Sequence, residues 1–110
     1  MKKEKINFHP SDEKCPVKAS LALLGGKWPL IILYQINNQI IRYGELKRSI
    51  PGISEKMLIQ ELKALVNHDL VSKRAYPEIP PRVEYSLTQK GLNTLPIVAQ
   101  LALFGRENLF

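Results

Sequence analysis

The sequence predicts one mainly α-helical domain that carries a small β-hairpin. Three observations lead to this fold class. Prolines and glycines delimit apolar segments of helical length, and two later segments alternate as strands do. A chain of 110 residues, 45% of them hydrophobic, suffices for a single packed core. We expect residues 1–14, which are mostly polar and charged, to form an N-terminal arm before a domain at 15–110.

The charge balance favours an anionic partner. Sixteen Lys and Arg residues stand against ten Asp and Glu, a net charge of +6, which is typical of proteins that meet nucleic acid or a lipid surface. The longest apolar stretch, residues 28–34, is far shorter than the roughly 20 residues that span a bilayer. The charged N-terminus is not followed by a signal-type core, and a lone cysteine cannot form an internal disulfide. These features predict a cytoplasmic protein.

Proline marks the start of each of the first two helices. In the first, at about 16–24, proline occupies the favoured first position and a glycine pair follows the end. The second begins near Pro29 and stops at an asparagine pair. Its residues are apolar on most sides, so we expect it to be buried.

Residues 43–68 predict a helix, a tight turn and a longer helix. The string "PGIS" supplies the turn, and the hydroxyl of Ser54 is suited to cap the fourth helix. Four apolar residues fall on one side of that helix, and the opposite side is cationic and amide-rich: Lys56, Gln60, Lys63 and Asn67. Such side chains can bond phosphates and base edges in a major groove, although many solvated helix faces have the same composition.

Residues 70–87 predict a two-stranded hairpin with a stiff tip. The strings "LVSKRAY" and "RVEYSL" alternate as strands, and the tip "PEIPP" contains three prolines, each of which fixes φ. The cations beside the tip are Lys73, Arg74 and Arg82. A helix-turn-helix followed by a basic ribbon is a winged helix, in which one helix enters the major groove and the wing touches the backbone or minor groove.

Three strings resemble the HxlR-type family of bacterial transcriptional regulators, which are MarR-like winged helix-turn-helix proteins. These strings are "CPVKASLALLGGKW", "YGELKRSIPGISEKMLIQELKALVNHDLV" and "YPEIPPRVEYSLTQKG", and the resemblance extends from about residue 15 to 105. It implies a cytoplasmic homodimer that binds pseudo-palindromic operator DNA, usually as a repressor and sometimes as an activator. It implies no catalytic chemistry and no cofactor.

The resemblance also implies which residues contact DNA. In the recognition helix they are Ser54, Lys56, Met57, Gln60 and Lys63. Near phosphates they are Arg42, Lys47 and Arg48, and on the wing Arg82. Lys73 and Arg74, which flank the tip, are further candidates for DNA contact from the hairpin pattern. Ile59 departs from the small or polar residue that is more common in the family, and the helical wheel leaves open whether it meets a thymine methyl group or the core.

Residues 88–108 predict a dimerisation helix. Thr88 is a suitable cap, apolar residues recur at helical spacing, and Pro96 should kink or divide the helix. We expect the exposed apolar surface to be covered by a second copy and by the first helix. The alternative is that this helix covers only its own core.

Cys15 is a candidate redox sensor. It lies at a helix N-terminus beside Lys14 and Lys18, where the helix dipole and the ammonium groups favour the thiolate. Several members of the resembled family carry a cysteine here and respond to oxidants or electrophiles, which would make an oxidant or another small molecule the effector. The alternative is a buried packing residue without reactivity.

Other functions have weaker support in the sequence. His9 and His68 lack companion ligands at metal-binding spacing, so we expect no metal site. A winged-helix module for protein contacts would favour a neutral or acidic recognition face, whereas this one is basic. A thiol-dependent enzyme would need a base beside Cys15, where the sequence offers only lysines.

Overall fold

The computed structural model describes residues 6–110, which form six helices and three strands. The helices are α1 (Pro16–Leu24), α2 (Pro29–Ile36), α3 (Tyr43–Ser49), α4 (Glu55–Asn67), α5 (Gln89–Leu92) and α6 (Leu95–Asn108). The strands are β1 (Ile41–Arg42), β2 (Val71–Tyr76) and β3 (Arg82–Leu87). The predicted N-terminal arm lies partly outside the described residues, and residues 6–14 contain turns ahead of α1.

The helix ends follow the local signals of the sequence. Proline occupies the first turn of α1, α2 and α6, where its missing N–H group costs no hydrogen bond. The Ser54 hydroxyl accepts a hydrogen bond from the backbone N–H of Met57 at 3.0 Å and caps α4. The Thr88 hydroxyl caps α5 by accepting from Gly91 N–H, also at 3.0 Å. The predicted caps and starts are confirmed.

The hydrophobic core lies between α2, α3, α4 and the sheet. From α4 it receives Leu58, Leu62 and Leu65, as the helical wheel predicts. From α2 it receives Ile32, Leu33 and Ile36. The prediction that α2 is buried is correct for this face only, because Ile31 and Tyr34 on its other side are exposed.

The strands form one antiparallel sheet in the order β1-β3-β2. The hairpin of β2 and β3 is confirmed, but the sequence analysis missed β1, which pairs Ile41 with Tyr85 of β3. Two residues are too few to show the alternation that identifies a strand. Because β1 leads directly into α3, the added strand attaches the wing to the helix-turn-helix.

The C-terminal segment is divided, as Pro96 predicts. The helix α5 ends at Leu92 and α6 begins at Leu95, with proline in its first turn. The helix α6 packs against α2, yet none of its own residues is buried. No single helix within residues 6–110 is long and apolar enough to cross a membrane; α1 and α2 reach that length and composition only as a pair bent by 74°.

Candidate nucleic-acid interface

The outward face of α4 is polar and accessible. Lys56, Gln60, Lys63 and Asn67 are all exposed, opposite the three buried leucines of the same helix. Ser54 is exposed at the helix start, where its hydroxyl is already engaged as the cap. Met57 is half-buried and packs against the core, so it offers less surface to a partner than its neighbours on the polar face do.

The cations near α3 form no ion pairs within the described residues. Arg42 is the N-cap residue of α3 and is exposed, Arg48 is exposed near the helix end, and Lys47 is half-buried. Within residues 6–110 the only ion pairs are those of Arg82, so these three cations have no carboxylate partner there. They remain available for an external anion.

Arg82 on the wing is in a different situation. Its Nη2 atom lies 3.2 Å from Glu78 Oε1, and its Nε atom lies 3.8 Å from Glu84 Oε2. Its guanidinium carbon is 3.9 Å from the centre of the Tyr76 ring, and only 27% of the side chain is exposed. Arg82 therefore links the start of β3 to the tip and to the last residue of β2.

The sequence analysis missed the partners of Arg82. The signal for one of them was present, because Glu84 follows at a spacing of two and so shares a face of β3. In contrast, Lys73 and Arg74 on β2 are exposed and without ion pairs in the described chain. Arg74 also lies 5.0 Å from the centre of the Tyr76 ring, a contact that leaves its charge in place.

Helix α4 and the β2–β3 hairpin face a common space. A cleft of about 800 Å³ lies between α3, α4 and the hairpin, and its lining includes Arg48, Ile59, Lys73, Arg82, Pro80 and Pro81. A smaller cavity of about 240 Å³ continues between α4 and the sheet, where Lys63 is one of the lining residues. The outward side of α4 and the wing thus border one concave surface.

Ile59 is not a core residue. Its side chain is 52% exposed and lines both cavities, which decides against one of the two alternatives that the sequence leaves open. It lies between the buried side of α4 and Lys63, on the edge that faces the wing. An apolar contact with a partner in the groove is thus available to it.

Two phenol groups lie beside this cleft. Burial, followed by the charge of Glu55, raises the pKa of Tyr43 above its ordinary value of 10.0. Burial also raises the pKa of Tyr85, and its neighbour Tyr43 adds to the shift. Both phenols are consequently neutral at physiological pH and keep a proton to donate.

Cys15 lies apart from this surface. It is the N-cap residue of α1 and is buried, with 3% of its surface exposed. Its backbone N–H donates to the carbonyl of Asp12, and its carbonyl accepts from Ala19 N–H. Burial agrees with the packing alternative, while redox sensing at this position stays a prediction. No metal-binding cluster of His, Cys, Asp or Glu occurs in the described part of the chain.

The three-stranded sheet, the helix-turn-helix of α3 and α4, and the β2–β3 hairpin together define a winged helix-turn-helix protein. Residues 23–110 match the HxlR-like helix-turn-helix family, so the chain belongs to this family.

Relatives of known structure and sequence agree with this membership. A crystal structure from Porphyromonas gingivalis W83, described as a MarR-family transcriptional regulator, has a TM-score of 0.87 and 61% identity, covering 93% of this chain and 100% of that one. The redox regulator HypR in its oxidized form has a TM-score of 0.79 and 38% identity, covering 87% of this chain and 99% of that one. YybR of Bacillus subtilis (strain 168), an HTH-type transcriptional regulator, is 39% identical over 105 residues, which are 96% of this chain and 84% of YybR.

Proposed function

We propose that this protein is a DNA-binding transcriptional regulator that recognises a pseudo-palindromic operator as a homodimer. One observation carries the proposal: the polar face of α4 and the wing line one cavity, through Lys63 and Lys73. The larger cleft that shares Lys73 is also lined by Arg42 and Arg48, which form no ion pairs within the described residues. A duplex can meet both elements at once in that arrangement. Family membership supports the same function and gives no reason to assign catalysis.

The recognition helix supplies base contacts. Lys56, Gln60 and Lys63 project from its exposed face, and Ser54 and Met57 lie at its first turn. A glutamine carboxamide can bond an adenine edge with two hydrogen bonds, and lysines can bond guanine or phosphates. Gln60 is the best candidate for sequence discrimination because its side chain is polar, uncharged and exposed.

Cations outside α4 supply the phosphate contacts. We assign this role to Arg42, Lys47, Arg48, Lys73 and Arg74, which form no ion pairs within the described residues. Such contacts contribute an affinity for DNA that falls as the salt concentration rises and that does not depend on the DNA sequence. Arg82, already paired with two carboxylates, is assigned to holding the wing in shape rather than to neutralising a phosphate.

The terminal helices supply the dimer contact in this proposal. On α6, Leu101 is 52% exposed and Phe104 59%, and on α1, Leu21 is 61% exposed. Large apolar side chains concentrated on two helices are typical of a surface that a second copy covers. A two-fold dimer would place its recognition helices about 34 Å apart, one turn of DNA.

The proposed regulatory response has two parts, a sign and an input. We propose repression, which the family resemblance favours, and oxidation of Cys15 as an input; the relative HypR is a redox regulator. Diamide would take up two hydrogens as the Cys15 thiols of two subunits form a disulfide. A Cys15→Ser protein should then keep its operator affinity under diamide, whereas the unmodified protein loses it. Equal loss in both proteins would show that Cys15 is only a packing residue.

The function is tested first by selecting fragments of the host genome that the purified protein retains. Gel-shift titrations of a selected fragment and of random DNA then measure specificity. Gln60→Ala should weaken binding to the selected fragment by about tenfold while leaving random DNA nearly unchanged, because a bidentate base contact contributes about 1–3 kcal/mol of discrimination. Gln100→Ala on α6 is the matched control. Failure to enrich any fragment would refute the proposed function.

A further inference from the structure

The tip of the wing presents one large apolar side chain at its apex. Ile79 lies between Glu78 and two prolines and is fully exposed, at 102%. Among the large apolar residues of the described chain, only the C-terminal Phe110 has the same exposure. A terminal residue is exposed by default, whereas Ile79 is held in solvent by the two paired strands on either side of it.

Contacts on both sides of Ile79 hold the apex in one shape. The Nη2 atom of Arg82 lies 3.2 Å from the Glu78 carboxylate, and the guanidinium carbon lies 3.9 Å from the centre of the Tyr76 ring. The backbone N–H of Glu78 donates to the carbonyl of Tyr76 at 2.8 Å. The three prolines of the tip fix their own φ angles. Ile79 can therefore dock with little loss of conformational entropy.

The surroundings of the apex fit a polyanion. Ile79 lines the same cleft as Arg42, Arg48 and Lys73, which form no ion pairs within residues 6–110. The carboxylate next to it in the chain, Glu78, is paired with Arg82, which offsets its repulsion of phosphates. A rigid apolar point close to cations matches a DNA groove, where the bases form the floor and the phosphates lie along the walls.

We propose that Ile79 is a wedge that enters the minor groove of the bound operator and partly separates two stacked base pairs. This inference rests on the proposed function. Apolar side chains that insert in this way bend the duplex toward the major groove, which is the groove assigned here to α4. Pyrimidine–purine steps such as TA and CA unstack most readily. Ile79 would therefore select such a step in each half-site without a hydrogen bond to its bases.

Unstacking is tested with 2-aminopurine, an adenine analogue whose fluorescence rises when it leaves the base stack. The selected fragment is prepared as a series in which each adenine in turn is replaced by the analogue. The unmodified protein should raise the emission several-fold at one TA or CA step of each half-site, and Ile79→Ala should not. Ile40→Ala is the matched control, because Ile40 is 70% exposed and precedes β1 at the end away from the wing tip. It should act as the unmodified protein does.

Bending and sequence preference are measured with the same proteins. Energy transfer between dyes at the two ends of the fragment should report a bend of at least about 20° with the unmodified protein and a smaller one with Ile79→Ala. Changing the unstacked step to the stiff step AA should weaken the unmodified protein about tenfold and Ile79→Ala by no more than about twofold. Ile79→Met keeps a long apolar side chain and should restore both effects. Thermal unfolding should be the same for all variants, since Ile79 is fully exposed.

The outcomes separate this inference from the proposed function. No rise in emission at any adenine, or an equal rise with Ile79→Ala, would overturn the wedge while DNA binding stands. A loss of affinity in Ile79→Ala without unstacking by the unmodified protein would also overturn it, because Ile79 would then only touch the groove wall. If the unmodified protein retains no fragment at all, the proposed function fails and the wedge fails with it.

Discussion

The two parts of this protein differ in how completely they bury their apolar residues. In the helix-turn-helix and sheet, Ile32, Leu46 and Leu58 are fully buried, and one contiguous core joins α2, α3, α4 and the strands. In α1 and α6 no residue is buried, although both helices are largely apolar. The part proposed to bind DNA is complete within one chain, whereas the terminal helices expose the kind of surface that a second chain covers.

The largest expected effect is a loss of folding stability when the core of the helix-turn-helix and sheet is changed. Leu62→Ala removes a side chain that is 2% exposed, so we expect a loss of about 2–5 kcal/mol in the free energy of unfolding, from lost burial and the cavity left behind. Urea denaturation followed by circular dichroism measures it. Ile59→Ala on the same helix is the control and should cost less than about 1 kcal/mol because Ile59 is half exposed. Similar losses for both would contradict the assigned core.

The next largest effect is expected on dimerisation, which a change in a terminal helix should abolish without unfolding the core. Leu101→Lys on α6 should leave the chain folded but monomeric, and should weaken operator binding by about a hundredfold because the two half-sites are no longer bound together. Sedimentation velocity and fluorescence anisotropy measure the two changes. Ile40→Lys, at a position 70% exposed before β1, is the matched control and should remain dimeric. A dimeric Leu101→Lys protein would place the subunit contact elsewhere.

The smallest effect distinguishes two arginines of the wing. Arg74→Ala should reduce the slope of log affinity against log salt by about one unit, as loss of one phosphate contact does. Arg82→Ala should weaken binding while changing the slope less, because Glu78 and Glu84 already balance its charge. Arg82→Lys should bind DNA nearly as weakly as Arg82→Ala does, since a lysine cannot form the forked contacts of a guanidinium with both carboxylates. Equal changes of slope for both alanine variants would show that Arg82 contacts a phosphate directly.

Much of this fold can be predicted from local sequence signals. Prolines in first turns, the Ser54 and Thr88 caps and the period of the α4 leucines act over a few residues and were each confirmed. The strand β1 could not be predicted, because its two residues are ordered only through pairing with β3. The exposed face of α2 was also missed, since a helix that is apolar all round does not show which side a neighbour will cover.

The candidate site also combines features that the sequence predicts with features that it does not predict. The polar face of α4 follows from its period, because a helix that buries three leucines must turn Lys56, Gln60 and Lys63 outward. Whether the charge of Arg82 is paired does not follow from the number of cations in the sequence. It depends on Glu78, Glu84 and Tyr76, which the hairpin brings next to Arg82. The same composition thus contains cations available to DNA and one whose charge is already paired with carboxylates.

By itself, the sequence determined the helices, the hairpin, the basic character and the residues that can read a groove, since periodicity, capping and charge belong to the chain before it folds. Only the tertiary structure decided that α4, α3 and the wing surround one cleft, that Ile59 faces it and that Tyr43 and Arg82 leave donors unsatisfied there. Those facts depend on distances between residues far apart in the chain, which packing and strand pairing set.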